Sequence, residues 1–177
     1  MKRSFPMKKL TAVLLCFTLL AALFTACKTA SDSNTGGKNI EGTVEEIMQR
    51  IYDNLDESIQ KPMLMNTPLS EDMGIQNDSY RIEYFIGAKN IPFIEGVASE
   101  AAIGGAYSVC LLRMEANADI EKAKTDIKDN VDPAKWICYI ADSVIVDNVG
   151  DLVILIMTNS ETMPGLGEAI QDSFKNL

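Results

Sequence analysis

The residue types able to do chemistry are few, and one is missing altogether: the chain has four cysteines and no histidine. Without imidazole there is no Ser-His-Asp or Cys-His nucleophile pair, no His-ligated zinc site and no imidazole general base. Cys16 falls inside an apolar run, and Cys27 follows a short stretch of small residues. Only Cys110 and Cys138 sit in sequence that looks like a folded domain. Two cysteines can pair, and an extracytoplasmic location permits a disulfide, but sequence separation says nothing about whether the two approach within bridging range. As free thiols they read as small buried hydrophobes.

Cys27 has the most specific surroundings. Lys2, Arg3, Lys8 and Lys9 form a cationic start, residues 10–24 are almost all apolar, and Phe24, Thr25 and Ala26 lead into the cysteine. This is the layout of a bacterial lipoprotein signal with a lipobox. Cleavage behind Ala26 would leave Cys27 as the acylated N-terminus, its sulfur in a diacylglyceryl thioether and palmitate a natural acyl chain. An uncleaved transmembrane anchor is the other reading, and the apolar run is short of the ~20 residues that a span needs. The expected location is therefore the extracytoplasmic face of the cell membrane, held by lipid on Cys27.

The remaining constellations are weaker. Met63, Met65 and Met73 bring thioethers that suit Cu(I), yet methionines near a loop more simply fill irregular gaps. Asp142, Asp147 and Asp151 have oxygens that suit Ca²⁺, but their spacing matches no calcium loop, and acids at hairpin ends usually form turns. Gly104 and Gly105 lack the lysine and hydroxyl residue of a phosphate loop. Gly165, Leu166 and Gly167 lack the third glycine of a dinucleotide fingerprint, where Ile170 stands instead. No carboxylate pair is singled out for glycoside chemistry. No catalytic residue, metal ligand or cofactor is expected.

Charge narrows the partners. Residues 1–27 hold four of the sixteen cations and no acids, leaving 12 cations against 25 acids, a net charge of −13 on the rest. Nucleic acid is excluded by the lack of clustered Lys and Arg, and an anionic bilayer repels such a domain, so attachment falls to the acyl chain.

Several elements must position whatever site exists. Residues 28–42 are polar and rich in Gly, Ser, Thr and Asn, a flexible tether. Thr43 and Glu46 form a capping box ahead of an apolar stripe of Val44, Ile47, Met48, Ile51, Tyr52 and Leu55, which predicts a helix. Residues 61–76, with two prolines, read as loop with a helical turn near Ser70. Residues 80–86 alternate as a half-buried strand, with a helical start as the other reading, and 87–105 read as turns with a short helical turn at 99–102. Residues 106–114 are apolar on both faces and predict a central strand. Asn117 is placed as the cap of a helix with the stripe Ile120, Ala123, Ile127 and Val131, and a helical turn is expected around Trp136. Residues 143–146 and 152–157 flank a turn with Asn148 and Gly150, a β-hairpin. Ser160 or Thr162 is expected to cap a last helix.

Residues 44–55, 80–86, 97–114, 119–131 and the 144–157 hairpin with Gly150 together resemble a family of small lipoproteins of Gram-positive Firmicutes built on one domain of unknown function, the domain-of-unknown-function family 4358. That family has no established activity, so the resemblance transfers no functional residues. The expected organisation is a signal over 1–27, a tether over 28–42 and a single α+β domain over 43–177. Its sheet is expected to be four-stranded and mainly antiparallel, ordered αββαββα, with helices on one face and the other face open to solvent or a partner. The expected role is a non-enzymatic binding or protein-interaction module, with a cell-envelope protein as partner; the alternative is a small-ligand or metal-binding lipoprotein.

Overall fold

Five strands form the spine. The computed structural model describes residues 40–70 and 82–177; the signal, Cys16, Cys27, most of the tether, Met73 and residues 80 and 81 lie outside them. In chain order the elements are α1 (Val44–Asp53), β1 (Leu64–Leu69), α2 (Ile82–Ile86), β2 (Phe93–Ala101), β3 (Tyr107–Met114), α3 (Ile120–Asn130), β4 (Ser143–Val149), β5 (Leu152–Thr158) and α4 (Leu166–Lys175). The sheet order is β1-β2-β3-β5-β4, with every neighbouring pair antiparallel. The α+β class and the central place of β3 agree with expectation; four strands in the order αββαββα do not.

The alternation within the strands explains the layers. Val97, Tyr107, Val109, Leu111, Leu152, Ile154 and Ile156 point to one face and are covered by α1 and α4. Ala98, Cys110, Leu112, Met114, Val153, Leu155 and Met157 point to the other, under Phe85 and Ile86 of α2 and Ala123 and Ile127 of α3. Helices therefore pack on both faces, which corrects the expectation of an open one. The near-continuous apolar runs of β3 and β5 are what a sheet covered on both sides requires. Between the sheet and α1, the buried Tyr52 and Tyr107 hydroxyls share a hydrogen bond of 2.8 Å. Burial raises both phenols above their ordinary range.

Four local expectations fail for identifiable reasons. Residues 64–69 are a strand despite Pro68, because β1 lies at the sheet edge, where a missing N–H costs no ladder bond. Residues 93–101 are a strand although Gly96, Ala98 and Ser99 are poor strand formers; pairing on both sides overrides propensity. Ile94 is skipped at a bulge, which turns it outward and sets Glu95 opposite Arg113. Residues 82–86 are a helix, since an alternating pentapeptide also buries one helical turn through Phe85 and Ile86. The segment 131–142 holds no helix around Trp136.

Caps distribute as follows. Thr43 and Glu46 make the expected capping box. Asp119, not Asn117, caps α3, accepting from the Lys122 N–H. Gly165, with φ of 74°, precedes α4 without a side-chain cap, while Thr162 bonds to Asn159 instead. Gly87 ends α2 at φ 74°, and a Cβ there would lie 2.3 Å from the Val131 backbone. Only glycine lets α2 close against the end of α3. Gly87→Ala should therefore destabilise the domain by about 1–3 kcal/mol, measured as a lowered urea midpoint with unchanged slope; an unchanged midpoint would show that the contact is not needed.

Candidate functional site

The edge-side half of the sheet ends in a charge that has no business in an apolar layer unless it is met. The register sets Glu100 of β2 directly opposite Ser108 of β3. The loop after α3 then brings Lys135 over them: its ammonium lies 2.6 Å from the Glu100 carboxylate and donates to Ser108 Oγ at 3.2 Å. Three rings surround it, Tyr84 at 4.5 Å, Trp136 at 5.0 Å and Phe85 at 5.5 Å. Only 4 % of the Lys135 side chain and 13 % of Glu100 are exposed. Pairing and ring faces together offset the cost of taking the ammonium out of water.

The loop that carries Lys135 is closed on itself. Its ends meet where the Ala141 N–H donates to the Pro133 carbonyl at 2.8 Å. Asp132 accepts from the Ala134 N–H, an Asx turn that starts the loop. Asn159 donates from Nδ2 to the Ile140 carbonyl and fixes the far side to the end of β5. With both ends held, Lys135 and Trp136 turn inward while Ile137, Tyr139 and Ile140 face solvent.

A cleft of about 400 Å³ opens here, lined by Tyr84, Lys135, Trp136 and Tyr139, with Gly104 and Gly105 on its far wall. Gly104 adopts φ of 43°, and a Cβ there would sit 3.2 Å from the Tyr139 hydroxyl, so glycine keeps the mouth clear. Ile137, which lines it, is fully exposed; Ile103 at 75 % and Ile140 at 60 % are next in sequence to the lining Gly104 and Tyr139, and Met63 is 70 % exposed. Met63 joins this end of the molecule because its carbonyl accepts from the Ala102 N–H.

The chemistry available is limited by burial. Ser108 beside Lys135 superficially pairs a nucleophile with an amine, but the hydroxyl is fully buried and the ammonium is committed to Glu100. Cys110 donates its S–H to the Phe85 carbonyl at 3.6 Å. Burial pushes its thiol up to about 11 against the opposing pull of Lys135, which leaves it a thiol at neutral pH. Cys110 is buried, Cys138 exposed, and both are free.

The remaining sequence candidates separate into structural roles. Asp142 accepts from the Ser160 N–H at 2.8 Å and from its hydroxyl, and those bonds hold its carboxyl below the usual range. Burial opposes ionisation of Asp147, but Lys175, Gln171 and the Asn148 N–H outweigh it and lower its pKa. Asp151 pairs with Arg113 at 3.1 Å. The three acids do not converge, and no three metal-ligating side chains meet among the described residues. Met63 and Met65 are both exposed. Gly165 opens α4 with nothing near it.

Sequence reasoning missed Glu100, Ser108 and Lys135. A lone lysine beside the only tryptophan was the available signal, but only the register of β2 against β3 brings the carboxylate to it. No protein-family model, curated protein or solved structure matches this chain.

Two outcomes test the site. Glu100→Gln should cost about 3–5 kcal/mol by leaving a buried ammonium unpaired, whereas Glu100→Leu with Lys135→Met should recover most of it; urea denaturation of the three variants decides, and a neutral Glu100→Gln would dismiss the pair. Iodoacetamide at pH 8 should label Cys138 and spare Cys110 in the folded protein, with both labelled in denaturant. Peptide mapping reads the pattern, and rapid Cys110 labelling would show the thiol to be open.

Proposed function

We propose that this chain is a membrane-anchored extracytoplasmic lipoprotein, acylated at Cys27, whose α+β domain serves as a non-enzymatic protein-interaction module. The resemblance to the Firmicutes lipoprotein family of unknown function belongs to the same proposal. The observation that carries the interaction reading is the cluster of exposed large apolar side chains, Ile103, Ile137, Tyr139 and Ile140 with Met63, gathered at one end of the domain. Scattered surface apolar residues are ordinary, whereas contiguous ones mark interaction sites. An open sheet face is not what a partner would meet, since helices cover both faces.

The small-ligand alternative draws on the cleft volume of about 400 Å³, which falls in the range of ligand sites. Ile137 of its lining, however, is fully exposed, and Ile103 and Ile140 beside the lining residues Gly104 and Tyr139 are largely exposed. That favours a partner surface lying across the mouth.

Anchoring is tested apart from binding. Among the described residues no helix is long and apolar enough to cross a membrane. Cys27→Ala should move the chain from the membrane to the soluble fraction without changing its far-ultraviolet circular dichroism; retention in membranes would point to an uncleaved helix. For binding, a photocrosslinking amino acid at position 137 of the acylated protein should give a discrete adduct in its own membranes. The same group at position 94, exposed but remote, should not. Equal adducts at both positions, or none at either, would overturn the module.

A further inference from the structure

The domain's charges are distributed so as to choose among possible occupants of the cleft. The loop from Asp132 to Asp142 holds two acids and one cation, Lys135. That cation is turned inward onto Glu100 and the three rings. The outward-facing apolar loop is thus bracketed by exposed Asp132 and Asp142, with exposed Glu161 next to Ser160, which Asp142 binds. An apolar centre with a one-signed rim selects partners by charge.

Three occupants fit poorly. A second copy would set the same acids face to face, on chains that carry −13 beyond residue 27, and like charges across an interface oppose association. An anionic bilayer meets the same repulsion. The cleft also lies at the opposite end of β3 from Arg113, whose guanidinium holds the Ile40 and Gly42 carbonyls where the N-terminal segment joins the domain. A small molecule would leave Ile103, Ile137 and Ile140 in water, since they project from the rim.

We infer that, given the interaction module proposed above, the cleft docks a cationic, apolar-anchored segment of a partner protein. One apolar side chain of that segment enters over Trp136 between Tyr84 and Tyr139. Its flanking residues cover Ile137 and Ile103, and its Lys or Arg side chains meet Asp132, Asp142 and Glu161. Central apolar anchors inside a polar rim are the usual anatomy of such contacts.

Trp136 is the only tryptophan in the chain, so its emission reports the site directly. The full-length protein in phosphatidylcholine vesicles is titrated with a short synthetic peptide that alternates lysine with leucine and phenylalanine, and with a twin carrying glutamate for lysine. The expected result is a saturable blue shift with the lysine peptide and binding at least tenfold weaker with the glutamate peptide. Added salt should weaken the first. Ile137→Ser with Ile140→Ser should weaken it at least tenfold while circular dichroism stays unchanged, and Glu161→Gln with Asp132→Asn should narrow the gap between the two peptides. Equal affinity for both peptides, or no response to either, overturns the inference. So does a shift caused by phosphatidylglycerol vesicles alone, which makes the patch a membrane face, or one that follows self-association in sedimentation, which makes it a dimer contact. A position-137 adduct in membranes alongside indifference to peptide charge would leave the module standing and remove only this occupant.

Discussion

A sheet apolar on both faces can hold a charged side chain only where another group compensates it, and Lys135 is the side chain on which that requirement falls hardest. Its ammonium is nearly closed off from water and is met by Glu100, Ser108 and three aromatic rings. Compared with a well-packed apolar pair, a buried ion pair adds little net stability, whereas removing one partner is costly. The pair therefore specifies position more than it adds energy. It ties the loop over 133–141 to one place on the β2 and β3 ends and draws Trp136 and α2 in behind it. The loop so held supplies Lys135, Trp136, Ile137, Cys138 and Tyr139 to the lining of the cleft.

Arg113 plays the corresponding part at the far end of β3. It is 12 % exposed, pairs with Asp151 and Glu95, and donates to the Ile40 and Gly42 carbonyls. Glu95 in turn accepts from the Val44 N–H at the start of α1. The approach to the first helix is thus fixed on the sheet before the capping box of Thr43 and Glu46 takes over. Ser108, beneath Lys135, and Arg113 are five positions apart on β3, roughly 17 Å at the rise of an antiparallel strand. Under the proposed anchoring, that arrangement points the cleft away from where the chain arrives.

What could be read from the sequence divides along the range of the interactions involved. The capping box, the α1 stripe, the two-faced β3 and the Gly150 hairpin are each specified by residues close together, and each is present. β1 and β2 were illegible because Asn66 and Pro68 in β1 and Gly96, Ala98 and Ser99 in β2 interrupt their apolar residues; β2 is a strand because β3 offers a template and β1 because β2 does, non-local facts. The alternation of residues 80–86 fits a strand better than a helical start, and with a strand there the layer that residues 82–86 form with α3 is missing, so helices on both faces do not follow from the sequence. The site was the least legible part. Glu100 and Lys135 are 35 positions apart, and nothing in the spacing announces that a register and a loop closure bring them together. Conversely, Asp142, Asp147 and Asp151 are close in sequence but point to Ser160, Lys175 and Arg113, so closeness along the chain does not by itself make a site.

The apolar loop residues stand apart from all of this in energetic terms. A side chain contributes to folding in proportion to the apolar area that it removes from water. Val97, Leu111 and Ile154 remove all of theirs, whereas Ile137 removes none and Ile103 little. No hydrogen-bonding or charge requirement calls for isoleucine at those positions either: the backbone contacts that close the loop, between Pro133 and Ala141 and between Asn159 and Ile140, would form with any residue. The strong negative charge keeps such a surface soluble without explaining it. Folding thus accounts for Lys135, Glu100 and Trp136, but not for the isoleucines outside them. Under the interaction module proposed above, the free energy available to those side chains would come from contact with a partner.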